Sequence, residues 1–120
     1  MAPAQGGAVS RADDAGAEAV KQFAEREIKA ALAYAAGGGQ AVHLMGHWAT
    51  QLPGAPQVFR RATGCAHLFD QNLDRLVITA RGFGVRVIKV ERAGEEGQHI
   101  DLCGKPLEKA KARCEEMLQA

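Results

Sequence analysis

Apolar residues in the first third of the chain recur at spacings of three and four. Val20, Phe23, Ala24, Ile28, Ala31, Leu32 and Ala35 make one stripe, and Lys21, Glu25 and Lys29 share another face at i,i+4 spacing. The pattern predicts an N-terminal amphipathic helix over residues 10–36. Ser10 and Asp13 open it as a loose capping box, Asp14 adds charge that suits the helix dipole, and the glycines at 37–39 end it. Residues 1–9 are small and uncharged and are expected to be a disordered tail. An alanine-rich stripe permits close approach but buries little area per residue. The helix is therefore expected to pack outside the core, on itself or on a twin, and its removal to leave a folded domain.

Downstream the period shortens. Residues 41–45, "AVHLM", read as a short buried strand, and residues 46–57, with two prolines and two glycines, as a loop. Residues 58–69 are broken by Gly64, and their second half reads as a strand end leading into a helix. That helix spans 70–84, with Leu73, Leu76, Val77 and Ala80 at helical spacing, Asp70 or Asn72 as N-cap, and Gly82 or Gly84 as terminator. Residues 85–91, "VRVIKVE", are apolar on both faces and predict an interior strand. After a polar turn, residues 98–102 predict another strand, and Pro106 suits the first turn of a final helix. Leu107, Ala110, Cys114, Met117 and Leu118 form the buried stripe of that helix. The fold class is α/β: a single compact domain over 41–120, its small sheet covered by helices, plus the N-terminal helix.

Composition changes this picture little. At 120 residues, 47% apolar and 5% aromatic, the chain supports one core built mostly from Val, Leu, Ile and Ala. A formal net charge of +1 gives no reason to expect strong nonspecific DNA binding. Three cysteines, an odd count with no secretory segment ahead of them, suggest reduced thiols and a cytoplasmic location. No apolar run approaches the ~18 residues of a membrane span.

The chemistry concentrates in two similar stretches, "CAHLFD" at 65–70 and "HIDLC" at 99–103. On strands, residues two apart share a face, so Cys65, His67 and Phe69 align in one, and His99, Asp101 and Cys103 in the other. If the segments are neighbours, imidazoles, thiols and a carboxylate converge as ligands for zinc or a similar metal, with Asp70 a further ligand-binding candidate. The structural alternative makes Asp70 a helix cap, His67 a donor to a carbonyl, Cys65 and Cys103 small hydrophobes, and Asp101 a turn residue before Gly104. His43 and His47 are four apart, but Gly46 and the proline-rich loop oppose the helix a metalloprotease motif needs. Trp48 either stacks on a base or ring or plugs its loop onto the core. Arg60 and Arg61, with Arg75 and Arg81, either engage phosphate or carboxylate groups or lie on a solvated face.

The runs "CAHLFDQNLDRLVITARGFG" and "HIDLCGKPLEKAKARCEEM" resemble a bacterial and phage family known as domain of unknown function 4031. His67, Leu68, Leu73, Asp74, Leu76, Ala80, Gly84, His99, Asp101 and Ala110 fall in step with its pattern. Gln71 stands where the family has Asp, and no carboxylate occupies residues 45–47, where the family has an acidic pair. The resemblance implies one α/β domain and no particular activity. Three functions are compatible with the sequence. One is a small binding module whose His/Asp/Cys face takes a polar ligand, such as a nucleotide or a nucleic-acid end. The others are a metal-dependent hydrolase and an interaction subunit forming a homodimer through the N-terminal helix.

Overall fold

The structure, a computed structural model, describes residues 20–45 and 64–119. Four strands form one mixed sheet in the order β1-β2-β3-β4: β1 (Val20–Phe23), β2 (Gln40–Met45), β3 (Cys65–Phe69) and β4 (His99–Cys103). Strand β1 runs parallel to β2, and the crossover this requires is helix α1 (Ile28–Ala36), entered through a 3-10 turn at Glu25–Glu27. Strands β2, β3 and β4 pair antiparallel, with helix α2 (Leu73–Gly82) between β3 and β4. Helix α3 (Gly104–Gln119) closes the chain. The α/β class, the small sheet and the helical cover are as expected. Among the described residues, no helix is long and apolar enough to cross a membrane.

The predicted helix over 10–36 does not hold at Val20–Phe23, which are strand. A spacing of three puts Val20 and Phe23 on one side of a helix but on opposite faces of a strand. In a sheet covered on both sides, each face then has a residue to bury. Val20 enters the main core with Val42, Leu68 and Leu102, and Phe23 enters a second core with Ala31, Ala35, Ala41 and Phe69. Val and Phe also favour the pleated strand. Helix formation begins only where Glu27 Oε1 accepts from the Ala24 N–H at 2.7 Å. The alanine stripe, Ala31 and Ala35, faces the sheet of its own chain, so α1 is part of the domain and does not pack outside it. Its end is the predicted glycine run: Gly38 takes φ +107°, and a Cβ on Gly39 would collide with the Tyr34 ring.

The second correction concerns residues 85–91, which form no strand. Val85, Ile88 and Val90 lean half-buried on the main core while Val87 is 83% exposed, so the segment is an irregular cover for that core. Only Glu91 pairs with β4, exchanging two backbone hydrogen bonds with His99 at 2.8 and 3.0 Å. Leu118 is also exposed, whereas Leu107, Ala110 and Cys114 are buried as predicted. The tail at 1–9, the start of the N-terminal segment, the loop at 46–57, and Trp48, Arg60 and Arg61 lie outside the described residues.

Helix α2 starts at the second of the two caps that the sequence offers. Asn72 is the N-cap, its side chain accepting from the Arg75 N–H at 3.0 Å. Leu76 and Ala80 are fully buried beneath it. The main core thus lies between one face of the sheet (Val42, Ala66, Leu68, Ile100, Leu102) and helices α2 and α3. The opposite face is shared between the α1 core and a polar cluster.

Candidate metal centre on the polar sheet face

Register decides which side chains meet. His67 pairs with His43 of β2 and with Asp101 of β4, and Phe69 pairs with Ala41 and His99. The even-numbered residues Ala66, Leu68, Ile100 and Leu102 turn into the main core, so the odd ones gather on the other face. The expectation that the two similar stretches are neighbours is met: β3 and β4 lie side by side.

His67, His99 and Asp101 each offer one ligand atom, and these atoms lie within 4.8 Å of one another. His67 Nε2 is 3.7 Å and His99 Nε2 3.4 Å from Asp101 Oδ1. Zinc bonds its N and O ligands at about 2.0–2.2 Å, which in a tetrahedral site separates them by roughly 3.3–3.6 Å. The spacing around Asp101 is therefore already close to what such an ion needs. The side chains of His99, His67 and Asp101 are 12, 20 and 35% exposed, so the cluster is walled by protein on the histidine side and open to solvent at the carboxylate.

The tautomers follow from what the other ring nitrogens touch. His99 Nδ1 lies 2.7 Å from the Gly97 carbonyl and donates to it, which leaves Nε2 with its lone pair toward Asp101. Gly97 has φ +87°, a conformation natural to glycine, and this turn aims its carbonyl at His99. Buried His43 donates from Nε2 to the Glu25 carbonyl at 2.9 Å, so its Nδ1 is an acceptor for His67 Nδ1–H at 3.5 Å. His67 Nε2 then also presents a lone pair. Two imidazole lone pairs and a carboxylate converge with no donor among them, an arrangement satisfied by a cation or a captured proton.

Of the two rings, His99 is the one whose hold on a proton is strengthened. Burial pushes the His99 pKa down, but the hydrogen bond to Asp101, the Gly97 carbonyl and the charges of Asp101 and Glu91 together outweigh it and raise it. His67 moves the other way, to about 4: burial lowers it most, then the His99 charge, with Asp101 opposing and His43 adding to the fall.

The remaining candidates separate from this triad. Asp70 is fully buried, and its carboxylate is occupied internally. It accepts from Arg75 Nε (2.7 Å) and from a terminal Arg75 nitrogen (2.8 Å), from Gln40 Nε2 (2.9 Å) and from the Asn72 N–H (2.9 Å). Asp70 is a structural hub, and Arg75 bonds both to it and to the Gly38 carbonyl. Cys65 and Cys103 share the face of the triad but form a separate buried cluster with Met45. Burial raises both thiol pKa values, with Asp101 adding to each and Cys103 to that of Cys65. Cys114 is core, its thiol pushed up by burial to about 11.

Sequence reasoning missed His43 and Gly97. Along the sequence His43 stands at helical spacing from His47, whereas its partner, His67, is reached across strands. Gly97 was visible only as part of a turn. No match to the chain was found among protein-family models, curated proteins or solved structures.

Proposed function

We propose that the protein is a small binding module whose polar ligand is a divalent transition-metal ion of the zinc class, held by His67, His99 and Asp101. The observation that supports this is the convergence of three acceptor atoms, at 3.4 and 3.7 Å from Asp101 to the two imidazoles, with both rings oriented by hydrogen bonds from their far sides. Such outer hydrogen bonds fix ring orientation and raise ligand basicity. Three protein ligands and a solvent-facing side leave a coordination position for water or for an oxygen donor of a partner molecule.

Titration calorimetry with Zn(II), and visible absorption with Co(II), test this directly. The wild-type chain should take up one equivalent, and His67→Ala, His99→Ala and Asp101→Asn should each weaken uptake by at least tenfold while retaining a cooperative thermal transition. A wild-type chain without measurable uptake, or variants that bind as tightly as wild type, would sink the proposal.

A further inference from the structure

Beside the triad, the same sheet face carries a row of sulfur. Met45 and Cys65 are Cα partners across β2 and β3, and Cys65 and Cys103 are Cα partners across β3 and β4. Three adjacent strands thus place a sulfur side chain in register on one face. In-register neighbours have Cβ atoms about 4.5–5.5 Å apart, within easy reach for sulfur. Cys65 Sγ lies 3.9 Å from Met45 Sδ, and both thiols are free. Cys65 and Cys103 are 5 and 8% exposed, in a cluster separate from the two larger cores.

We propose that Met45, Cys65 and Cys103 form a second metal site, for a soft monovalent ion of the Cu(I) class. Thiolate and thioether donors select such ions, while the imidazole and carboxylate of the neighbouring triad suit borderline divalent ones. With metal–sulfur bonds of about 2.3 Å, three ligands in a plane stand about 4.0 Å apart, close to the Met45–Cys65 sulfur separation. The sulfur row is two residues along the strand from His67 and Asp101, roughly 6.6–6.8 Å away, so the two donor sets are neighbours without sharing an ion. Binding leaves copper in its oxidation state. Each thiol loses one proton to solvent as its sulfur takes the ion, and the thioether loses none, so uptake strengthens with rising pH. This site does not depend on occupancy of the triad.

The experiment is a Cu(I) titration of the full chain, reduced and free of oxygen, in competition with a chromophoric Cu(I) chelator. Wild type should retain one equivalent with near-ultraviolet thiolate-to-copper absorption, and saturating Zn(II) should leave that count unchanged. Cys65→Ser with Cys103→Ser should lose the ion, Cys114→Ser should keep it, and Met45→Leu, which conserves volume and fold, should bind about tenfold more weakly. Surrender of all copper to the chelator by wild type overturns the site. So does retention by the Cys65/Cys103 double variant, undiminished binding in Met45→Leu, or displacement of copper by Zn(II).

Discussion

At the scale of single residues, two buried polar side chains have opposite duties. Asp70 holds a fully buried charge satisfied by a two-pronged Arg75 contact, Gln40 and a backbone N–H. Removing one partner of a buried pair leaves the other charge uncompensated, so Asp70→Ala should cost about 3–5 kcal/mol. Urea unfolding measures that cost, and metal affinity at neutral pH should change less than threefold. His43 is the converse case. It touches no ligand position but relays the Glu25 carbonyl to His67, fixing which His67 nitrogen is free. His43→Phe should therefore lower Zn(II) affinity about 10–100-fold, the usual range for partners of metal-bound histidines, while the uptake stoichiometry stays at one. Unaltered affinity in a folded His43→Phe chain would remove the relay from the account.

At the scale of elements, β1 is the piece whose role differs most from its sequence pattern. It supplies Val20 to one core and Phe23 to the other, and the turn that follows supplies the carbonyl that holds His43. Deleting residues 1–36 should therefore abolish the cooperative thermal transition seen by circular dichroism, because α1 and an edge strand leave together. A shortened chain that still melts cooperatively would show that β2–β4 with α2 and α3 suffice. The loop between α2 and β4 has a comparable positioning role. Gln98 is buried and accepts from the Gly94 N–H at 2.8 Å, and it donates to the Asp70 carbonyl at 2.9 Å. Gln71 clasps the same loop through the Glu95 carbonyl and the Gly97 N–H, at 3.0 and 3.2 Å. The His99 partner carbonyl is thus held from two sides.

At the scale of the molecule, the imidazole pair makes stability depend on pH with two signs. His67 has a folded pKa of about 4 against an ordinary 6.5, so the unfolded chain binds more protons between those values. Its contribution is fully present above 6.5 and is lost as pH falls through 4, on the order of 3 kcal/mol. His99 is raised, so its contribution is complete below the ordinary value and fades as pH rises through its folded pKa. Chemical unfolding across pH 4–8 should show an acid limb that shrinks in His67→Phe; an unchanged limb in that variant would assign it to the carboxylates alone. Zn(II) requires both rings deprotonated, so its stabilising effect should weaken as the medium is acidified.

Local pattern determined the elements that close on themselves. The α2 helix, the glycine stop after α1, the strands around His67 and His99, and the alternation that sets odd residues of β3 and β4 apart from even ones were all legible, because each depends on neighbours within a turn or a pleat. Tertiary structure decided the rest. Val20–Phe23 satisfy a helical stripe and a two-faced strand equally well, and only pairing with β2 selects the strand. Residues 85–91 have strand chemistry, but β4 takes only the Glu91 pair on that side, and the segment caps the core instead. The same holds for the candidate centre. Sequence supplied His67, His99 and Asp101 as a set, while register brought in His43 from 24 residues away. Which partners a side chain meets across a sheet is fixed by strand order and register, and neither is written within any one segment.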